Sequence, residues 1–154
     1  MSGEDVSLDY ANSVIYDLQK AFWDERGKGA RFRVTTVGRD YLLDRCLPAI
    51  QSSDIEEIAN TIGGILEEEG LVEGVSTDVD GRLLRLEVTG CLHQAVEQRM
   101  VAKGIEPFTC PPANLVVLAI EEVLDQPVEL AQIEVEDGTC RLLLVVFESR
   151  PTFE

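Results

Sequence analysis

Residues 111–148 read PPANLVVLAIEEVLDQPVELAQIEVEDGTCRLLLVVFE, and their pattern decides the fold. Pro111 and Pro112 suit the first turn of a helix, where a missing backbone N–H breaks no bond. Leu115 to Ile120 is unbroken apolar sequence, so the helix they open is expected to be covered on most sides. Two alternating runs follow, 128–136 and 139–148, about Asp137-Gly138. Asp-Gly between apolar runs signals a hairpin whose two turn residues both need positive φ. In the second run Leu142, Leu144 and Val146 share one face, and Leu143, Val145 and Phe147 share the other. Apolar side chains on both faces predict a central, sandwiched strand.

The same order, one helix then two strands, occurs upstream. Ser53 is a good N-cap with Glu56 as its capping-box partner. The helix that follows, over 54–69, buries Ile55, Ile58, Ala59, Ile62, Ile65 and Leu66, and Gly70 closes it. Glu67, Glu68 and Glu69 sit at its C-terminal end, where the helix dipole disfavours negative charge. Strands over 71–79 and 82–89 turn at Asp80-Gly81, with Leu84, Leu86 and Val88 on one face. The expected class is therefore α+β: two hairpins joined into an antiparallel four-stranded sheet, packed against helices.

The remaining elements are simpler. A helix over 91–103 ends at Gly104, and another over 39–50 puts Leu42, Cys46 and Ala49 on one face. Arg31 to Val37 alternates as an extended strand or arm. A leading helix over 6–25 carries the stripe Leu8, Ala11, Ile15, Leu18 and Phe22, and Gly27 and Gly29 stop it. Phe22 and Trp23 cannot share one helix face, which leaves one of them for a partner. No low-complexity linker divides the chain. Residues 1–154 are read as one domain, with an N-terminal helical segment (1–30, a candidate dimerising element) and a core over 38–148.

Composition excludes some functions. The net charge is −16, and neither Cys46–Gly81 nor Gly104–Cys140 contains a Lys or Arg. Such a surface repels nucleic-acid phosphates and anionic membranes. The helices at 39–50 and 54–69 imitate a helix-turn-helix, but the second has no basic residue to read DNA. No run of about 18 apolar residues occurs. The start, MSGEDVSLDY, is acidic rather than basic-then-apolar, so a cytoplasmic location is expected, with Cys46, Cys91, Cys110 and Cys140 reduced.

The stretch from Gly90 to Glu148 carries a resemblance. Cys110 opens an apolar helix, and a hairpin ends in Gly138-Thr139-Cys140 before an apolar strand. This resembles the 4-vinyl reductase domain, also described as hydrocarbon-binding, whose fold is similar to the Bet3-type subunits of the TRAPP tethering complex. The match covers roughly residues 38–148. It implies an α+β fold, a homodimer, and an apolar pocket between helices and sheet for a small apolar or aromatic ligand. The family's aromatic-sensing branch carries zinc on an acidic residue and three cysteines. Cys110 and Cys140 stand near two of those positions; the cysteine expected before the last turn is absent, where the chain reads Ile133-Glu134-Val135-Glu136.

Candidate site residues follow. Tyr41, Phe108, Asn114 and Leu118 are candidate ligand-pocket walls, with Asn114 the one polar group of an apolar helix start. Cys110 and Cys140, joined by Cys91 and His93, are candidate zinc ligands, since thiolate and imidazole suit that ion. Core packing is the competing reading for each cysteine. Cys91 or Cys110 with His93 as base is a candidate nucleophile pair for a tetrapyrrole-related or thiol-dependent enzyme or accessory. Glu121/Glu122, Glu134/Glu136 and Glu67–Glu69 read as solvated faces. No phosphate loop, GxSxG, HExxH or paired CxxC motif is present. The leading reading is a non-catalytic, homodimeric small-molecule binding module. The alternatives are the enzyme and a scaffold that pairs with another protein through the leading helix.

Overall fold

Two hairpins join edge to edge in one antiparallel sheet, in the order β1-β2-β4-β3. The strands are β1 (Gly74–Asp80), β2 (Leu83–Thr89), β3 (Val128–Glu136) and β4 (Thr139–Val146). The structure, a computed structural model, describes residues 7–27, 37–136 and 138–148. The helices are α1 (Leu8–Arg26), α2 (Arg39–Tyr41), α3 (Ile55–Glu68), α4 (Gln94–Ala102) and α5 (Pro111–Leu124). The expected α+β class is the observed one. The proposed arm over 31–37 lies, but for Val37, outside the described residues.

Register explains the core. Val88 pairs with Cys140, Leu86 with Leu142 and Leu84 with Leu144, so the two central strands present one continuous apolar row. In β3 a bulge at Ala131 shifts the pairing between Leu130 and Gln132. It lets Val128 and Leu130 before it, and Ile133 and Val135 after it, face the same side. Helices α3 and α5 close over that side, and α5 is buried from Pro112 through Ile120. The proline pair opens α5 as expected, with Cys110 as its N-cap.

Several expectations are corrected. Strand β4 is central but not sandwiched: Leu143 and Val145 are only half-buried and Phe147 is exposed. Asp80 is the last residue of β1 and pairs with Leu83, so only Gly81 of the Asp-Gly pair enters the turn, at φ 61°. A glycine at the first turn position is the other favoured hairpin solution. The N-cap of α3 is Asp54, which accepts from Glu57 N–H at 3.2 Å, rather than Ser53. Glu69 at that helix's far end pairs with Arg45, which offsets the unfavourable charge there.

The helix expected over 39–50 is rewound. After α2 it widens to a π turn (Leu42–Cys46) and tightens to a 3₁₀ turn (Leu47–Ala49). Pro48 is the reason: it lacks an N–H for a regular helical bond and its ring crowds the carbonyl four residues back. Leu42 and Cys46 are buried as expected, and Ala49 is exposed. The stripe on α1 is also displaced. Leu8 and Leu18 are exposed, and the side facing α4 carries Asn12, Tyr16, Phe22 and Trp23. Phe22 and Trp23 both flank Phe108, with ring centroids 6.5 and 5.8 Å away. Neighbouring helical residues can straddle one ring seated at the edge of an interface.

Helix α3 rests closely on β1. A Cβ added at Gly63 would lie 3.0 Å from Val75 Cβ, whereas one at Gly64 would meet nothing within 4 Å. Gly64→Ala should therefore stabilise by roughly 0.5–1 kcal/mol, because it only relieves the entropy of a helical glycine. Gly63→Ala brings the same helical gain but must displace Val75, so its Tm should fall below that of Gly64→Ala and of the parent chain. Thermal unfolding of both variants checks this, and equal gains would show that α3 does not press on β1.

Candidate functional site

Three separate loops meet at the N-terminal end of α5 and leave a cleft of about 180 Å³. Gly38 and Tyr41 form one wall, Leu66 and Leu71 a second, Cys91 and His93 a third, and Pro111, Pro112 and Leu115 the floor. Each wall has a local cause. Leu71 leaves the end of α3 through its N–H bond to Leu66 O, and its carbonyl accepts from Leu92 N–H at 3.0 Å. That bond holds the 91–93 segment beside the end of α3. The segment precedes α4, which begins at Gln94, so Cys91 and His93 are not on one helix as expected. Cys91 Sγ accepts from His93 N–H at 3.4 Å, which folds the loop so that both side chains line the cleft.

Helix α1 orients the histidine. Asn12 is only 3% exposed and donates from Nδ2 to Leu92 O at 2.7 Å. Its Oδ1 is then turned to His93 Nδ1, 3.1 Å away. An oxygen acceptor there requires the ring proton on Nδ1. Burial lowers the His93 pKa, so the ring is neutral at pH 7.

Behind the cleft lies a second group. Burial pushes the Cys91 thiol up to about 11 and the Cys140 thiol up to about 12. Cys110 is raised well above its ordinary value, first by burial and then by Glu97. Its position at a helix start, which lowers a thiol pKa, is outweighed. Thiols held neutral in this way are poor nucleophiles, and His93 offers them no ring hydrogen bond among the described residues. Glu97 is 3% exposed, and its Oε2 has no hydrogen-bond partner among the described residues. Burial raises its carboxyl to about 7. Glu97 is close enough to all three thiols to raise them further. As placed, no three His, Cys, Asp or Glu side chains among the described residues are grouped to hold a metal ion.

The ligand-wall candidates are dispersed. Tyr41 lines the cleft, and its hydroxyl is sealed from solvent without a hydrogen-bond partner among the described residues. Phe108 lies elsewhere, beside Trp23 and Leu130–Ile133 in a hollow of about 250 Å³. Asn114 donates to Thr109 Oγ1 at 2.9 Å inside the core, and Leu118 is core between α5 and its neighbours. Sequence reasoning missed Asn12 and Glu97. A polar residue on the buried side of α1, and an acid between Val96 and Met100 on a short helix, were the available signals.

A larger groove, about 420 Å³, crosses the uncovered face of the sheet. Charged and polar side chains line much of it, and Arg141 approaches Glu87 of the lining at 3.7 Å and bonds Glu136 beside it. That describes a solvated sheet face. Among the described residues, no helix is long and apolar enough to cross a membrane. The chain matches no protein-family model and no curated protein at a significant level.

The buried carboxyl has a measurable signature. Its pKa rises from 4.5 to about 7 on folding, so its contribution to stability is full below 4.5 and is lost as pH climbs through 7. Glu97→Gln, which cannot ionise, should match the parent chain near pH 4.5 and exceed it by about 3 kcal/mol at pH 8. Urea unfolding at the two pH values checks this. The difference between variants isolates Glu97 from His93, whose lowered pKa acts in the opposite direction over the same range.

Proposed function

We propose that the protein is a non-catalytic binding module that holds a small, mostly apolar molecule in the cleft at the start of α5. The cleft's shape and lining carry this reading: five apolar side chains, the Tyr41 ring and a thiol surround a single accessible polar ring. Binding sites for small molecules combine apolar walls with a few placed polar groups in this way. Its volume also suits a ring-sized ligand, since a dry cavity of about 150 Å³ in another protein takes up benzene. The resemblance to the hydrocarbon-binding family points to the same kind of ligand but to a pocket between helices and sheet, whereas among the described residues no strand residue lines this cleft; kinship with that family is part of the proposal. The raised thiols favour binding over thiol-dependent catalysis.

The module acts as a homodimer on this reading. Its support is the outer side of α1, where Tyr10, Val14 and Leu18 are exposed, Leu18 to 67%. Light scattering during size exclusion should give twice the 17.0 kDa chain mass, and Leu18→Lys should return the single mass.

A second reading, zinc held by Cys91, Cys110 and Cys140 with Glu97, is favoured by one observation. Glu97 Oε2 is a buried acceptor without a partner, and a cation would satisfy it. The side chains would have to turn toward one another to reach it, and bound zinc would supply structural cross-linking. Metal analysis of protein purified without chelator tests this reading.

For the cleft itself, the test is thermal unfolding with one- and two-ring aromatic compounds, on the parent chain and on Leu71→Trp. At about 100 times its Kd a ligand stabilises by roughly 2.7 kcal/mol, which raises the Tm by several degrees. The parent chain should show that rise. Leu71→Trp, with the cleft filled, should not. Equal shifts in both proteins, or none with any compound, would overturn the proposal.

A further inference from the structure

We infer that the cleft selects a neutral ligand carrying one hydrogen-bond donor, an N–H or O–H, which His93 Nε2 accepts. This rests on the cleft being the binding site. The inference begins at Asn12. Its amide cannot flip without losing the 2.7 Å bond to Leu92 O, so Oδ1 stays on His93 Nδ1. With the proton fixed at Nδ1, the lone pair is at Nε2. Nε2 makes no hydrogen bond among the described residues. The His93 ring shares the cleft lining with Leu66, Leu71, Pro111, Pro112 and Leu115, whose side chains offer no hydrogen bond.

Two further properties set the ligand's charge. Among the described residues no Lys or Arg lines the cleft, and the chain carries −16, so a carboxylate or phosphate would meet no counter-charge from them. A cation would lose its water to apolar walls and a neutral imidazole, without an anion to receive it. A neutral donor loses one hydrogen bond to water and regains one at Nε2. A molecule of the same shape without the donor would bury Nε2 unpaired, which disfavours it.

Indole and benzothiophene make the comparison, because they are similar in shape and only indole has an N–H. Each is titrated calorimetrically into the full chain. His93 is the one histidine in the sequence, so ¹⁵N-histidine labelling gives a single pair of ring-nitrogen signals. Indole should bind about tenfold tighter than benzothiophene. It should move the Nε2 signal, with Nδ1 carrying the proton before and after. His93→Phe, confirmed folded by circular dichroism, should bind the two alike. Equal affinities in the parent chain with Nε2 unmoved, or a free protein with the proton on Nε2, would overturn the inference and leave the apolar cleft standing as a site. Failure of both compounds to bind would overturn the inference and count against the binding-module reading as well.

Discussion

Burial of α5 on every side is the constraint from which the rest of the structure follows. From Pro112 to Ile120 no side chain reaches solvent to any extent that matters, so the helix must have neighbours all round. Each large apolar side chain removed from water contributes roughly 1.5–3 kcal/mol. Helix α3 supplies one flank, and β3 with the apolar row of β2 and β4 beside it another. The N-terminal end cannot be covered by a further helical turn, because two prolines begin it. Loops from three other places converge there instead, and between them they leave the cleft.

The molecule is unequal across its sheet. One face is packed; the other carries ion pairs between neighbouring strands, such as Arg141 with Glu87 and Glu136, around half-buried Leu143 and Val145. The leading helix is attached differently again. It meets α4 through a small satellite core of Met100, Ile105 and Phe108 with Tyr16, Phe22 and Trp23, separate from the main core. Polar links add to it: Arg99 donates to Ser13 Oγ at 2.9 Å and lies over the Tyr16 ring. Asn12 is the point where this attachment and the cleft are coupled, since the amide that ties α1 to the 91–93 loop also sets the imidazole.

The fold was legible where physical periods are strong. Alternation in 82–89 and 139–148, and a proline pair ahead of six apolar residues, were enough to place the sheet and its buried helix. Legibility failed where neighbours decide. Ser53 and Asp54 are both good caps in sequence, and the structure uses Asp54, which accepts from Glu57 N–H. Pro48 is a visible breaker, but that it rewinds the whole of 42–49 is not encoded in its position alone. The apolar residues of α1 suggest one stripe, whereas the helix turns Asn12 inward to Leu92 and His93 in the 91–93 segment and the Tyr16 ring to Arg99 and Met100 of α4. Of the site, Tyr41, Cys91 and His93 were singled out in the sequence, but not as neighbours. The cleft joins residues from 38 to 115, and the Asn12–His93 bond spans 81 positions, a distance no local pattern encodes.

Glu97 shows the same limit from the other side. One carboxylate among 29 acidic residues has no sequence mark of its own, yet this one is buried beside three thiols, with Oε2 unpartnered among the described residues and its pKa raised to about 7. Its place depends on α4 lying where the end of β2 and the start of α5 leave room, and so again on α5. Backbone hydrogen exchange at Leu115 to Ile120 tests that dependence most directly. Held on every side, these amides should open only together with β2 and β4, at the free energy of whole-domain unfolding. Exchange at 115–120 well ahead of the two central strands would contradict it, and would mean that neither sheet nor cleft is built on this helix.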